Sequence, residues 1–574
     1  MSSFRASVRK AWFKMKEKFK NMKGLTIARC VAFTVVMFLI IILAWNCDDA
    51  YHAYVMAKNL VEGNGFVYNL GERVNASTCP LFTLLVAVVY AVVGDMYLSG
   101  ILTCVLCSGI AVWFVFFKFC KNLPSVLLAL VCLSGANGFI TYATSGLENC
   151  LLFCMMSLVF FMVMSKEEYG KKDLFFLAMV IGILMGARMD NVLLVAPIGV
   201  YVYFFAKKKE ISIPKSIGIG VLGVFPFWMW EIFSVIYYGF LFPNTAYIKL
   251  GTGLPLTNYL SRGISYMLTA LLNDPVLLVM PLLYGIFAVI KRDKKHILMA
   301  AGTWIYLVYV VYIGGDFMLG RHQTVPFFSA VCGLCVLFSD ASCEMAKNAA
   351  KVREKGQEAE QAEEREADRQ KKRTENILIG TIVAAAVCVI FAYTFGRTEG
   401  KRYLWNGDKY LMQCMDVADE RAYYSPTTGL LAYLKTKDGE YEGIVTQTFN
   451  TVEVEEMLAR ETPGGQLFRG ASGILVYYYL EGIHVYDFYG LADAFLARLQ
   501  ATYDDHWRIG HMQREIPSGY EETVVTGVNC IEDEKLHEFY DALSIVIKGD
   551  LWSVERFKTI WRMNTGYYNN LLGY

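Results

Sequence analysis

Residues 25–49 read LTIARCVAFTVVMFLIIILAWNCDD, an apolar run that ends in two adjacent carboxylates, Asp48 and Asp49. An α-helix needs about 20 apolar residues to cross a bilayer, and Leu25–Trp45 supplies them. Two negative charges at the mouth of such a helix are costly unless they face water, a cation or a substrate. Because negative charge at a helix C-terminus also opposes the helix dipole, the pair predicts a functional site at a membrane boundary.

The composition of the whole chain favours a polytopic α-helical membrane protein whose main partner is the lipid bilayer. Of the 574 residues, 55% are hydrophobic and only 19% are charged, which is typical of a chain with many membrane-spanning segments. The net charge of +1 argues against a nucleic acid as partner. The basic N-terminus, residues 1–24, predicts a cytoplasmic start, and the first apolar run is long enough to remain as an anchor.

The path of the chain through the membrane is predicted by further apolar runs near residues 80–94, 97–117, 123–142, 147–165, 174–187, 191–206, 213–236, 275–290, 296–314, 323–339 and 376–395. Loops rich in lysine and arginine are expected in the cytoplasm, namely 166–172, 207–209, 291–295 and 344–375. This order puts on the outer face residues 188–190, 237–274, 315–322 and everything after 396. The runs between 80 and 142 give the wrong parity, so one should be a half-helix or two should be joined. We expect about 11 transmembrane helices.

The predicted domains are a cytoplasmic basic N-terminus (1–24), a transmembrane catalytic module (25–339) with a first outer loop (46–79), a charged cytoplasmic connector (340–375), a last transmembrane helix (376–395) and an extracytoplasmic soluble domain (396–574). In the soluble domain, apolar and aromatic runs predict strands at Gly473–Leu480 and His484–Tyr489, and helical periodicity predicts helices at Asp493–Tyr503 and Glu534–Ile547. We therefore expect an α+β domain. In the first outer loop, Ala50–Leu60 is amphipathic and predicts a helix that lies on the membrane surface.

Specific polar residues gather on the predicted outer loops, whereas the inner loops carry simple basic clusters. Acids and bases on one face of the bilayer suit a site that holds an anionic lipid head group and deprotonates a hydroxyl group. Arg188, Lys249 and Arg321 can neutralise a phosphate, and Asp48 or Asp49 can act as a general base. The other candidates for binding a substrate are His52, Glu148, Asp190, Asn244, Asp316, His322, Asp487, Asp493, His511 and Arg514.

Several candidates have a purely structural alternative. Arg188 and Asp190 could form an ion pair that braces two helices, and Glu148 at a helix start is partly explained by the helix dipole. His52 and His322 lack the matching ligand set of a zinc site. Asp48 and Asp49 could hold Ca²⁺ or Mg²⁺ if other oxygens join them, but no cofactor is certain from the sequence.

A series of motifs in one order carries a family resemblance: Asp48–Tyr51, Ala57–Asn69, Gly71–Val74, Cys79–Phe82, Ser145–Glu148, Ala187–Asp190, Phe242–Thr245 with Lys249, Gly314–Met318 with Arg321 and His322, Tyr486–Asp493, and Gly510–His511 with Arg514, Pro517 and Gly519–Tyr520. Together they resemble the multi-spanning GT-C glycosyltransferases. Within that superfamily, they resemble the bacterial terminal β-(1→2)-arabinofuranosyltransferases of mycobacterial cell-wall synthesis.

The resemblance implies a GT-C fold, a polyprenyl-phosphate sugar as donor, and inverting transfer on the outer face of a bacterial plasma membrane. It also implies a catalytic aspartate in the first outer loop, which is Asp48 or Asp49 here. We expect Asp48 to be the base, with Asp49 assisting it or binding a cation. The expected reaction moves a pentofuranosyl residue, arabinofuranosyl in particular, to a cell-surface glycan or glycoprotein during biogenesis of the cell envelope.

Two other functions are compatible with a polytopic scaffold. One is a transporter or flippase of a lipid-linked sugar, which the large outer loops, the soluble domain and the gathering of polar residues at one surface disfavour. The other is a catalytically inert subunit on the same scaffold, which the intact acidic pair disfavours.

Overall fold

The computed structural model of the chain describes residues 23–250, 252–352, 359–395, 417–435, 467–470, 472–503, 507 and 509–572. The first helices are α1 (Lys23–Ile42), α2 (Asp48–Val61), α3 (Pro80–Val93), α4 (Met96–Trp113), α5 (Leu123–Gly135), α6 (Asn137–Tyr142), α7 (Asn149–Met164), α8 (Lys171–Ala187) and α9 (Val192–Phe204). They are followed by α10 (Ile213–Gly223), α11 (Phe225–Tyr237), α12 (Asn244–Leu250), α13 (Leu256–Asn273), α14 (Val276–Lys291), α15 (Lys294–Tyr312), α16 (Thr324–Val352) and α17 (Ala359–Phe395).

The remaining elements follow α17. Two short helices, α18 (Glu420–Thr428) and α19 (Leu430–Tyr433), lie in residues 417–435, which we call the strap. The described residues from 467 to 572, which we call the C-terminal module, contain β1 (Leu467–Arg469), α20 (Gly473–Tyr479), β2 (His484–Tyr486), α21 (Tyr520–Thr526), α22 (Glu534–Ile547) and α23 (Val554–Asn564). Strands β1 and β2 pair in parallel.

Several helices have the length and composition of membrane spans. Four described segments qualify alone: α1, Met96–Phe119, α15 and Asn376–Tyr393 within α17. Two bent pairs qualify together, α10 with α11 at 55° and α13 with α14 at 98°. The protein is therefore a mostly helical, multi-pass membrane protein, as predicted. The number of crossings stays a prediction.

Three lysine-rich loops meet at one end of the helix bundle, which we call the basic end: residues 166–172, 207–209 and 291–295. The backbone N–H of Tyr169 donates to the carbonyl oxygen of Ala206 at 3.0 Å. Lys295 Nζ lies 3.0 Å from a carboxylate oxygen of Glu167. The opposite ends of the same helices carry the loops at 143–148, 188–191 and 313–323. The two sets of loops that the sequence separates are therefore separated in space.

Helix α3 does not connect the two ends of the bundle. Near its start, Leu81 packs against Gly186 in the last turn of α8. Just past its end, Asp95 accepts a hydrogen bond at 3.0 Å from Tyr433 in α19, which lies beside the end of α1. Both ends of α3 thus lie opposite the basic end. The half-helix expected between residues 80 and 142 is α3.

Close helix packing in the bundle depends on glycine. A Cβ atom at Gly302 in α15 would lie 1.9 Å from the carbonyl oxygen of Leu194 in α9. A Cβ atom at Gly263 in α13 would lie 2.1 Å from that of Val311 in α15. Small residues allow this approach of backbones, which gives the van der Waals contact that replaces the hydrophobic effect inside a membrane.

Helix α2 corrects the predicted surface helix. Its existence is confirmed, but Ala50–Ala57 are all buried, so it does not lie on the membrane surface. Helix α2 packs on α3 and also on α20 of the C-terminal module. An amphipathic pattern therefore marks a helix between two protein layers here.

The C-terminal module confirms two predictions and overturns two. Strand β2 and helix α22 form where they were predicted. Gly473–Leu480, predicted as a strand, forms α20 instead, because Ser472 and Asp48 accept hydrogen bonds from its first N–H groups. The predicted helix Asp493–Tyr503 is only a 3₁₀ turn at Leu496–Arg498. The basic N-terminus before Lys23, residues 396–416 and residues 436–466 lie outside the described residues, as do the side chains of much of the connector.

The strap joins two loops that are remote in sequence. The N–H of Ala418 donates to the carbonyl oxygen of Phe317 at 2.7 Å, and the N–H of Leu319 donates to Ala418 at 2.9 Å. Further along, the N–H of Leu430 donates to the carbonyl oxygen of Ala44 at 2.8 Å. The strap therefore fixes the loop after α15 relative to the loop between α1 and α2.

Candidate functional site

A cleft of about 290 Å³ lies between the bundle, at the end opposite the basic loops, and the C-terminal module. Most of the predicted site residues line it: Asp49, His52, Glu148, Arg188, Asp190, Lys249, Asp316, Arg321, Asp487 and His511. Asp48, Asn244, His322, Asp493 and Arg514 do not line it. The loops that the sequence assigned to one face of the membrane therefore converge on one cleft.

The two adjacent aspartates have different environments. The carboxylate of Asp48 accepts hydrogen bonds from Ser472 Oγ at 2.9 Å, Gly473 N–H at 3.1 Å and Ile474 N–H at 2.9 Å. These donors form the N-terminus of α20, so Asp48 caps that helix. The side chain of Asp49 is 34% exposed and lines the cleft. Of the two aspartates, only Asp49 lines the cleft.

Glu148 is the centre of a buried ion-pair network. One of its carboxylate oxygens lies 3.0 Å from Arg188 Nη1 and 3.3 Å from Arg321 Nη2. Burial alone would raise the pKa of Glu148, but the charges of Arg321 and Arg188 hold it at about 2. Each guanidinium is therefore stabilised by a carboxylate that is ionised at every physiological pH.

Both arginines have further carboxylate partners. Arg188 binds Asp190 in a two-pronged contact, with nitrogen–oxygen distances of 2.8 and 3.0 Å. Arg321 Nη1 lies 3.6 Å from Asp316 and 3.9 Å from Asp49. The predicted Arg188–Asp190 ion pair is thus present, and it belongs to a larger network. The charge of both guanidinium groups is largely compensated within the protein.

His322 lies behind this network and not in the cleft. Its Nδ1 is 3.0 Å from the Tyr306 hydroxyl, and its Nε2 is 3.5 Å from Asp316. Burial and the charges of Arg188 and Arg321 hold the pKa of His322 well below its usual range. A neutral imidazole cannot supply positive charge to a phosphate, so His322 positions its neighbours.

Lys249 is the cation of the cleft that remains available. Among the residues that the structure describes, Lys249 has no carboxylate within 4.0 Å of its ammonium group, in contrast to Arg188 and Arg321. Burial lowers the pKa of Lys249, and the two arginines lower it further. An anion that enters the cleft would restore this pKa, because it would supply the missing partner.

Three aromatic rings form one wall of the cleft. The ring of His511 lies 4.3 Å from that of Phe317 and 5.1 Å from that of Tyr489, centroid to centroid. The carboxylate of Asp487, at the edge of this wall, accepts hydrogen bonds from Tyr489 N–H at 2.9 Å and Ala492 N–H at 3.0 Å. The sequence analysis singled out His511 and Asp487 but missed Phe317 and Tyr489. Phe317 directly follows Asp316, and Tyr489 lies two residues after Asp487.

Asn244 and Arg514 attach the C-terminal module to α12, the short helix that carries Lys249. The side-chain amide of Asn244 donates to Gly490 and Leu491 carbonyl oxygens at 3.3 Å. Arg514 donates to the carbonyl oxygen of Ile248 at 3.0 Å. We therefore assign both side chains to positioning and not to substrate contact.

Asp493 is an internal cap of the C-terminal module. It accepts hydrogen bonds from Phe495 N–H at 2.9 Å, Leu496 N–H at 2.8 Å and the Tyr520 hydroxyl at 2.7 Å. Its predicted contact with a substrate is replaced by this structural role, because it is 2% exposed and lies in the module core.

The buried Asp493 predicts a pH dependence of stability. Burial raises the pKa of Asp493 from 3.8 to about 7, so the stability that its protonated form contributes is complete below 3.8 and is lost as the pH rises through about 7. Asp493→Asn keeps an acceptor for both N–H groups and cannot ionise. The melting temperature of the wild type minus that of the variant should therefore decrease between about pH 5 and about pH 8. A difference that stays constant would contradict this assignment.

Glu420 is a buried acid of the site that the sequence did not indicate. It opens α18 in the strap and is 7% exposed. Burial raises the pKa of Glu420 well above its usual range, and the negative charges of Asp49, Asp48 and Asp316 raise it further. These contributions favour its neutral form beside the acidic pair. No apolar run or motif marks the strap, so the sequence offered no signal for Glu420.

The acidic pair and His52 fit a divalent cation poorly. Asp48, Asp49 and His52 each offer one ligand atom, and these atoms lie within 4.8 Å of one another. Ca²⁺ and Mg²⁺ prefer about six or more oxygen ligands, whereas one of these donors is an imidazole and the oxygens of Asp48 already accept three hydrogen bonds. The donors of this cluster therefore do not suit a bound Ca²⁺ or Mg²⁺ ion.

Comparison with known proteins links the chain to enzymes that use lipid-linked sugars. Residues 77–230 match the family of dolichyl-phosphate-mannose-protein mannosyltransferases. The matched segment includes Glu148, Arg188 and Asp190. This match agrees with the resemblance that the motifs indicated.

Two curated relatives are also similar to the chain. A terminal β-(1→2)-arabinofuranosyltransferase of Corynebacterium glutamicum is 24% identical over 354 residues, which cover 51% of this chain and 48% of the relative. The enzyme of the same name from Mycobacterium tuberculosis is 26% identical over 338 residues, which cover 51% and 52%. The chain thus matches about half the length of these relatives.

Two solved structures cover most of the chain at low similarity. ArnT from Cupriavidus metallidurans in the apo state has a TM-score of 0.42 at 10% identity, over 81% of this chain and 86% of that one. ArnT bound to undecaprenyl phosphate has a TM-score of 0.43 at 11% identity, over 80% and 86%.

Proposed function

We propose, from its similarity to glycosyltransferases of lipid-linked sugars, that this protein transfers a sugar from a polyprenyl-phosphate donor to a cell-surface glycan or glycoprotein. The sugar we propose is a pentofuranose, arabinofuranose in particular, because the curated relatives are named for that transfer. The matched family is named for dolichyl-phosphate mannose, a sugar carried on a lipid phosphate, and this supports a polyprenyl-phosphate sugar as the donor.

The observation that carries the proposal is the pairing of an available cation with an exposed carboxylate in one cleft. Lys249 would bind the phosphate of the donor, since Arg188 and Arg321 are already paired with carboxylates. The arginines add positive potential behind it. A phosphate that leaves as an ion needs such a cation and does not need an acid, because it carries its own charge.

Asp49 would act as the general base on the acceptor hydroxyl. Proton removal by Asp49 would accompany formation of the new bond at the anomeric carbon and rupture of the bond to the phosphate oxygen. Attack from the side opposite the phosphate inverts the configuration. Arg321 Nη1 lies 3.9 Å from the Asp49 carboxylate and helps to hold it in place.

The aromatic wall would contact the acceptor. Phe317, Tyr489 and His511 present apolar ring surface beside the carboxylates of Asp487 and Asp316. A sugar offers C–H groups on its face and hydroxyl groups on its edge, and this combination of rings and carboxylates complements both.

We place the cleft and the C-terminal module on the outer face of a bacterial plasma membrane. The support is charge: the lysine-rich loops gather at the other end of the bundle, where the positive-inside rule expects the cytoplasm. The acceptor and the donor head group would then meet outside the cell.

The direct test uses the full chain purified in detergent or nanodiscs. It is given a polyprenyl-phosphate arabinofuranose and an oligoarabinofuranoside, and the product is identified by mass spectrometry and its anomeric configuration by NMR. We expect one added pentose with inverted configuration. Transfer from a polyprenyl-phosphate mannose alone would overturn the choice of sugar, and movement of intact lipid-linked sugar without transfer would overturn the enzyme.

Lys249→Met should weaken donor binding. A hydrogen bond to a charged group is worth about 1.5–3 kcal/mol, so the KM for the donor should rise about 10-fold to 100-fold with a smaller change in kcat. Lys249→Arg keeps the charge and should retain most of the donor affinity. Equal losses in both variants, or a loss in kcat alone, would argue against phosphate binding at this position.

A further inference from the structure

Helix α23 carries an apolar stripe on the side that faces away from the protein. Val554, Phe557 and Trp561 are spaced so that they lie on one face of the helix. Val554 is 69% exposed and Trp561 is 72% exposed. Trp552, just before the helix, is 68% exposed, and Tyr567, just after it, is 63% exposed. Large aromatic side chains with this exposure in a continuous patch mark an interaction surface.

The opposite face of α23 is fixed to the end of the membrane helix α11. The guanidinium of Arg556 is fully buried and donates to the carbonyl oxygens of Ile236 at 2.7 Å and Tyr237 at 2.8 Å. These are carbonyl groups of the last turn of α11, which have no partner within their own helix. Asn564, the last residue of α23, donates to the carbonyl oxygen of Gly239 at 2.7 Å. Helix α23 is thereby held at the end of the bent pair α10–α11, which has the length and composition of a membrane span.

The contact is tight as well as polar. A Cβ atom at Gly239 would lie 2.2 Å from Val546 of α22 and 3.2 Å from Ile560 of α23. Gly239 has a φ of +84°, which glycine adopts without strain. The turn that follows α11 therefore packs directly against α22 and α23.

The side chains of the exposed face suit a bilayer interface. Tryptophan and tyrosine are enriched at the level of lipid head groups, and helices that lie in this layer combine an apolar stripe with lysine and arginine. Lys558 and Arg562 are exposed on α23 beside the stripe. Helix α11 itself exposes large apolar side chains, among them Trp228 at 45% and Ile232 at 55%.

We propose that α23, together with Trp552 and Tyr567, lies in the interfacial layer of the bilayer around α11 and anchors the C-terminal module to the membrane. The apolar stripe would contact the lipids at the boundary between head groups and acyl chains. Lys558 and Arg562 would then face the lipid phosphates. This anchor is independent of the reaction, and it would keep the wall of the cleft that the module supplies at a fixed height above the membrane.

The test places a photoreactive residue on the stripe of the full-length protein. Trp561→p-benzoylphenylalanine is prepared in lipid nanodiscs and irradiated, and the adducts are identified by mass spectrometry. We expect adducts with phospholipid. The matched control is Glu538→p-benzoylphenylalanine on the exposed side of α22. This variant should form much less lipid adduct than the Trp561 variant. Adducts with a second copy of the chain or with another segment of the same chain would overturn the proposal, and so would equal lipid labelling at both positions.

A second measurement does not depend on the photoreactive residue. Tryptophan fluorescence is recorded in nanodiscs that contain lipids brominated close to the head group, for the wild type and for the double variant Trp552→Phe/Trp561→Phe. The emission lost on substitution should be blue-shifted and quenched by bromine, because both rings would lie in the interface. Emission that is red-shifted and unquenched would show that the rings face water and would overturn the proposal.

Discussion

Replacing Asp49 by asparagine is expected to slow sugar transfer by about 10²-fold to 10⁴-fold, the range that a general base contributes. The amide keeps the shape of the side chain but cannot accept the proton of the acceptor hydroxyl. The melting temperature should change little, because Asp49 lines the cleft and its nearest described cationic group is 3.9 Å away. The measurement is kcat with saturating donor, together with the melting curve.

The matched control is the neighbouring residue. Asp48→Asn keeps one acceptor oxygen but loses the charge that caps α20, where three donors lie within 3.1 Å. Loss of a hydrogen bond to a charged group costs about 1.5–3 kcal/mol, so Asp48→Asn should lower the melting temperature and reduce kcat far less than Asp49→Asn. The opposite pattern, an inactive but stable Asp48→Asn protein, would return the role of base to Asp48.

Removing the carboxylate of Glu148 should cause the largest loss of stability. Glu148→Ala leaves Arg188 and Arg321 without their shared partner at 3.0 and 3.3 Å, and breaking a buried ion pair on one side costs about 3–5 kcal/mol. Because the pKa of Glu148 is held at about 2 instead of 4.5, its contribution is complete above 4.5 and is lost only as the pH falls through about 2. Denaturant unfolding in detergent at neutral pH should therefore show the full effect.

A charge-balanced variant separates the ion pair from simple packing. Glu148→Gln/Arg188→Gln removes one acid and one base, so the net charge of the network is unchanged. Its loss of stability should be smaller than the sum of the losses in the two single variants, by about 0.5–3 kcal/mol. Additive losses would indicate that the two side chains contribute independently, and the network described here would then be wrong.

The general architecture and the side of the site were predictable from the sequence. Apolar runs identify membrane helices because a bilayer requires long apolar segments, and lysine-rich loops identify the end opposite the cleft. The convergence of Glu148, Arg188 and Lys249 on one cleft followed from that order. Helix α3 fitted the same logic, since its run is short for a full crossing.

The division of labour within the site was not predictable, because it depends on contacts between remote segments. Asp48 and Asp49 are equivalent by composition, and the donors that distinguish them belong to Ser472–Ile474. The same contact explains the wrong strand prediction for Gly473–Leu480. The aromatic residues of this segment suit a strand, but Asp48, remote in the sequence, caps it as a helix. The availability of Lys249 likewise follows from how the two arginines are paired.

The strap has a consequence for how the protein is made. It follows α17 in the chain, yet it donates hydrogen bonds to the carbonyl oxygens of Phe317 and Ala44 and accepts one from Leu319 N–H. A nascent chain that ends at α16 therefore lacks the strap, which fixes the loop after α15 relative to the loop between α1 and α2. The cleft is therefore completed late in synthesis, after α17 and the strap have been made.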